Sequence, residues 1–137
     1  MQRARRAAWL LAGWGGLAAA APPGPGEILG TWRGESICTD RKVAPACKDE
    51  VVVFEFRPSP KPGTVHLQAD KIVNGERGTM GEMDFAWDAA EGCWRSEFET
   101  PRTHGSWCLV VDGREMGGAL RTLPERAQVR RLTLRRD

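Results

Sequence analysis

Two cysteines bracket the segment that most constrains this chain: Cys93-Trp-Arg-Ser-Glu-Phe-Glu-Thr-Pro-Arg-Thr-His-Gly-Ser-Trp-Cys108. It nearly mirrors itself. Folding it as a β-hairpin sets Cys93 opposite Cys108, Trp94 opposite Trp107 and Phe98 opposite Thr103, across a turn at Glu99-Thr-Pro-Arg102. Trp94, Ser96 and Phe98 then share a face with Trp107, Leu109 and Val111. Arg95, Glu97, Glu99 and both sulfurs take the other face. One apolar and one charged side at a period of two marks a half-buried antiparallel strand pair. The pattern specifies a fold class and no reaction.

The same alternation recurs on both sides of the hairpin. Further strands are expected at 28–38, 51–56, 64–73, 79–87, 115–123 and 129–135. Between them stand turn signals: Pro58-Ser-Pro-Lys-Pro-Gly63, Asn74-Gly75, Asp88-Ala-Ala-Glu-Gly92, Asp112-Gly113 and Leu123-Pro-Glu-Arg-Ala127. Asn74-Gly75 is the strongest, because both central residues of a type I′ turn need positive φ. A tight turn there puts Val65, Leu67 and Ala69 on one face with Glu82 and Asp84, a mismatch. A β-bulge near Gly78 or Gly81 slips the register by one and restores a common apolar face. Gly117-Gly118 is expected to weaken or bend the seventh strand. Eight short strands joined by hairpin turns imply an all-β, up-and-down antiparallel barrel, since closure removes exposed edges. A two-sheet β-sandwich is the alternative. No amphipathic helix, tandem repeat or second domain is evident.

The chain begins with a basic hexapeptide and a short apolar run ending in Ala18-Ala-Ala-Ala21. That order reads as a secretory signal peptide over 1–21, the alternative being a short anchor helix. Arg5-Arg6 hints at twin-arginine export. No cysteine lies near the cleavage point, which argues against a lipid anchor. Residues 22–27 form a flexible Pro/Gly leader, and 28–137 a single domain. Export removes Arg3, Arg5 and Arg6 from the 20 basic residues and none of the 18 acidic ones, so 17 face 18 and the mature net charge is −1. The basic balance therefore belongs to the export signal, and a nucleic-acid partner is not expected. No membrane span is expected in the mature chain, which is read as a monomer of the periplasm or extracellular space.

Four cysteines in an exported chain point to disulfides. The spacings Cys-x8-Cys and Cys-x14-Cys do not match tight zinc sites. Three connectivities are possible. Cys38–Cys47 with Cys93–Cys108 is preferred, because each bridge then staples one hairpin.

Gly30-Thr31-Trp32, at the head of the first strand, resembles the Gly-x-Trp opening of lipocalin and avidin-like barrels. The resemblance implies that Trp32 closes one barrel end and that an arginine of the last strand, Arg131 or Arg135, packs on it. The run from Asn74 to Trp87, continuing into the Cys93 hairpin, resembles small uncharacterised exported bacterial proteins and implies no activity. Size, barrel and export signal are also similar to bacterial metalloprotease inhibitors, in which a loose N-terminal segment enters the protease cleft.

Trp32, Phe54, Phe85, Trp87, Trp94, Phe98 and Trp107 are the candidate ligand-binding residues, since aromatic walls with a few polar groups suit small-molecule sites. The competing reading is that the same residues simply fill the core. Glu82, Asp84, Arg95, Glu97, Glu99 and Arg121 form a charged sheet face. Surface ion pairs explain it better than acid–base catalysis. His66 and His104 lack metal-ligand spacing, and Ser36, Ser96 and Ser106 lack a Gly-x-Ser-x-Gly context. No catalytic residue, metal or cofactor is expected. The function expected is binding of a small apolar or amphipathic ligand; the alternative is a protein-binding barrel such as a secreted protease inhibitor.

Overall fold

A computed structural model describes residues 25–137; the expected signal peptide and residues 22–24 lie outside the described residues. The Cys93 hairpin forms from strands β5 (Cys93–Glu99) and β6 (His104–Asp112). Its register differs by two residues from the one expected: Trp94 faces Leu109, Ser96 faces Trp107 and Phe98 faces Gly105. The cause is Pro101. The expected turn would put proline in its second central position, where its ring disfavours the residue before it. The actual turn runs from Thr100 to Thr103, with Pro101 in the first central position, and Thr100 and Thr103 exchange backbone hydrogen bonds of 2.7 and 3.3 Å. A slide of two keeps every side chain on its face, so the apolar side is unchanged. Cys108 now stands opposite Arg95, and the Cys93–Cys108 bridge runs diagonally on the outer wall with its Cα atoms 5.5 Å apart.

The other strands are β1 (Gly30–Cys38), β2 (Glu50–Pro58), β3 (Thr64–Val73), β4 (Glu76–Asp88), β7 (Glu115–Thr122) and β8 (Gln128–Arg136). All eight pair in sequence order, and β8 pairs back on β1, closing an antiparallel up-and-down barrel. The expected bulge lies between Gly78 and Gly81: Ala69 faces Gly81 and Asp70 faces Thr79, leaving Met80 as the extra residue. Val65, Leu67 and Ala69 then meet Phe85, Met83 and Gly81 on the inner face. Asn74 and Gly75 take φ of 52° and 78°, as a type I′ turn requires. The second bridge, Cys38–Cys47, ties β1 to the loop before β2.

Interior packing is unequal along the barrel axis. At the end holding the start of β1, Trp32, Phe56, Phe85, Trp94, Met116 and Leu134 are buried together. The opposite half points small or polar groups inward, among them Ser36, Gly81 and Ser96. Two glycines let the wall close. A Cβ on Gly34 would lie 2.0 Å from the Thr133 carbonyl oxygen, and one on Gly118 2.4 Å from Leu109 Cδ2.

Candidate functional site

The large residues make a floor. Trp32 is fully buried, and its indole N–H donates to the Ile28 carbonyl at 2.8 Å. The arginine that packs on it is Arg136, not Arg131 or Arg135 as the resemblance implied. On β8 the even residues face inward with Leu132 and Leu134, whereas Arg131 and Arg135 are exposed on the outer wall. The chain before β1 docks beneath this floor. Ile28 is buried in the core, the Pro25 carbonyl accepts from the Trp94 indole at 2.8 Å, and the Glu27 carbonyl accepts from Arg136. The last residues of the expected leader are thus tied to the barrel.

The other half of the interior holds a cavity of about 210 Å³. Phe54, Leu67, Met83, Phe85 and Trp107 supply its apolar walls. Gly81 explains why there is space: a Cβ there would have no neighbour within 4 Å. At the end near the Cys38–Cys47 loop the lining turns polar. Arg130 donates to Ser36 Oγ at 3.0 Å and to the Lys48 carbonyl at 2.9 Å, and approaches Glu50 at 3.9 Å.

Of the seven aromatic residues expected to bind ligand, Phe54, Phe85 and Trp107 line this cavity. Trp32 and Trp94 belong to the floor, and Trp87 packs edge-on against Trp94 with ring centroids 5.8 Å apart. Phe98 covers the backbone of Gly105, where a Cβ would come within 2.8 Å of its ring. Ser36, Glu50, Gly81, Met83 and Arg130 also line the cavity and were not among the expected ligand-binding residues. Strand alternation carried the signal for Ser36 and Arg130, which sit two residues from inward-facing Gly34 and Leu132.

The charged outer face forms ion pairs. His66 Nδ1 lies 2.8 Å from Asp84 and Nε2 3.1 Å from Glu82. Hydrogen bonds to Asp84, then to Glu82, raise its pKa above the usual histidine value. Both ring nitrogens are occupied, so the imidazole is a clamp and not a poised base. Arg95 pairs with Glu97 and with Asp88, the latter at 3.4 Å. Further along β3, Asp70 is almost wholly buried and takes a 2.5 Å bond from Arg77, which also reaches Glu55 at 2.8 Å. Burial pushes the Asp70 carboxyl up, but bonds from Arg77, Thr79 and Gln68 outweigh it and hold the pKa below the usual value. Glu82, Asp84, Glu97 and Asp70 thus each have a cationic partner or His66 beside them on the outer wall, whereas Glu99 and Arg121 of the expected charged face take part in no ion pair among the described residues. Among the described residues no group of three or more His, Cys, Asp or Glu is placed to hold a metal ion, and no helix is long and apolar enough to cross a membrane.

Compared with known proteins, the chain matches no family model, no curated protein and no solved structure.

Proposed function

We propose that the chain is an exported, lipocalin-like barrel that holds a small apolar or amphipathic ligand in the open half of its interior. The observation that carries this reading is the cavity at Gly81. A barrel of this size can be filled by its own side chains, and here the floor is filled while the other half is not. The two disulfides suit an oxidising compartment. At about 210 Å³ the space is below the roughly 300–1,000 Å³ of sites for drug-sized molecules. The ligand is accordingly small, or only one end of a longer molecule enters. Apolar walls favour its hydrocarbon part, and the Arg130–Ser36–Glu50 group accepts a polar end. Binding is burial of apolar surface with no covalent step. A ligand burying about 200 Å² gains about 5 kcal/mol, and association costs remove much of it, so probes belong in the micromolar to millimolar range.

The test is tryptophan fluorescence titrated with a panel of short-chain alcohols, fatty acids and aromatic compounds. Trp107 lines the cavity, so Trp107→Phe should remove the response. Gly81→Leu should abolish binding with little change in melting temperature, because its Cβ would meet nothing within 4 Å and the rest of the side chain would extend into the cavity that Gly81 lines. No response from any probe would reject the reading. The inhibitor alternative would work through the leader or a loop; the leader route has less support, because the Pro25 and Glu27 carbonyls are held against the floor.

A further inference from the structure

A second hollow, of about 280 Å³, lies on the outer wall, separate from the interior cavity. Three arginines line it from three parts of the fold: Arg95 from β5, Arg121 from β7 and Arg126 from the turn between β7 and β8. Arg95 is already paired with Asp88 and Glu97. Among the described residues neither Arg121 nor Arg126 takes part in an ion pair. Ser106 on β6 sits between Arg95 and Arg121, directly opposite the latter, and is 8% exposed. Arg95 Nε donates to Ser106 Oγ at 3.1 Å, so the hydroxyl accepts there and keeps its own proton to donate to a second partner. Leu123 and the Cys93–Cys108 bridge provide an apolar base.

The backbone at Arg126 is itself unusual. Its φ is 62°, a left-handed conformation that a β-carbon disfavours. Backbone bonds from Arg126 N to the Thr122 carbonyl (2.7 Å) and from Thr122 N to the Ala127 carbonyl (2.9 Å) hold it there. Glycine or asparagine would satisfy that backbone with less strain. An arginine held in this conformation beside a second unpaired arginine, over a hydroxyl donor, is an arrangement that suits a planar or tetrahedral oxyanion.

We infer that this hollow binds an oxyanion, a phosphate or sulfate group, carried on a small apolar body or on a lipid headgroup. Glu91 is the one carboxylate lining it and opposes the anion, which gives the inference a sign that can be checked. The experiment titrates inorganic phosphate, phenyl phosphate and phosphatidylcholine vesicles containing one-third phosphatidylglycerol into the full chain, followed by backbone amide shifts and vesicle co-sedimentation. Saturable phosphate shifts at Ser106, Arg121 and Arg126 are expected. The R121Q/R126N pair, in which asparagine keeps the left-handed turn, should weaken binding at least about tenfold. Glu91→Gln should tighten it, and Gly81→Leu, in the interior cavity, should leave it unchanged. Vesicle binding that is lost in R121Q/R126N, with no shift by the free phosphates, would assign the oxyanion to a lipid headgroup. If neither probe binds, if R121Q/R126N binds as the parent does, or if Glu91→Gln weakens binding, the inference fails.

Discussion

The guanidinium of Arg136 lies 4.3 Å from the ring centroid of Trp32, over a side chain with no exposure to solvent. It also donates to the carbonyls of Leu29 (2.6 Å) and Glu27, so one side chain joins the last strand, the first strand and the segment before it. A cation over a desolvated indole is worth up to about 2 kcal/mol, and each bond from a charged donor adds about 1.5 kcal/mol or more. Arg136→Ala should therefore destabilise the barrel by about 2–4 kcal/mol. Arg136→Lys should recover only part of that, since an ammonium group cannot stack and fork at once. Urea unfolding followed by tryptophan emission measures both, and an Arg136→Ala variant as stable as the parent would show that the floor does not depend on this contact.

Three of the glycines that face the interior differ in what a side chain there would meet. Alanine at Gly34 would meet a backbone carbonyl oxygen at 2.0 Å, and at Gly118 a leucine methyl at 2.4 Å with the Cys108 carbonyl oxygen at 2.9 Å. Gly34→Ala forces β1 away from β8, and a loss of about 3 kcal/mol or more is expected. Gly118→Ala should lose about 1–3 kcal/mol. Gly81→Ala should stay within about 0.5 kcal/mol of the parent, because the added methyl enters the cavity. Thermal melts of the three variants check the order. A Gly81→Ala protein that melts as low as Gly34→Ala would mean the cavity is not there.

His66 makes stability depend on pH with a definite sign. Its folded pKa is raised by Asp84 and Glu82, so its contribution is complete below the unfolded value of about 6.5 and is lost as pH rises through the folded pKa. The stability gap between the parent and His66→Gln should be largest near pH 5–6 and shrink at alkaline pH. A gap that grows towards alkaline pH would contradict the clamp. With side chains this exposed the effect should be modest, and salt should reduce it.

Asp70 behaves in the opposite direction. Its folded pKa is lowered, so its contribution is present above the unfolded value of about 3.9 and is lost as pH falls through the folded one. Arg77→Met leaves a buried carboxylate without its cation and should cost about 3–5 kcal/mol. Asp70→Asn leaves a partly exposed Arg77 that still holds Glu55, and should cost less, about 1–3 kcal/mol. Denaturation at neutral pH ranks the two, and a larger loss for Asp70→Asn would reverse the argument.

The two disulfides should differ in what they protect. Replacing Cys93 and Cys108 by alanine removes a 15-residue constraint worth about 3 kcal/mol and lowers the global unfolding energy. Replacing Cys38 and Cys47 removes a tie on a loop outside the barrel wall, and amide exchange should show the loss concentrated at residues 39–49. Uniform loss of protection in the second variant would show that this loop is part of the global cooperative unit.

The sequence by itself determined where the strands lie, which way their side chains point, the tight Asn74-Gly75 turn and the bulge beside it. All of these follow from a period of two and from local turn chemistry, which operate within a few residues. The same period puts Arg136 on the face of Leu132 and Leu134, whereas the resemblance had implied Arg131 or Arg135, which face outward. A slide of two residues leaves both faces of the Cys93 hairpin unchanged, so periodicity could not choose between registers; the turn preference of Pro101, a local signal that the mirror symmetry of the hairpin masks, made that choice. Tertiary structure decided the rest. Height along the barrel axis is set by how all eight strands stagger on closure. Only that stagger separates Trp32 and Trp94 in the floor from Trp107 in the cavity, and brings Arg121 and Arg126 to the same hollow as Arg95.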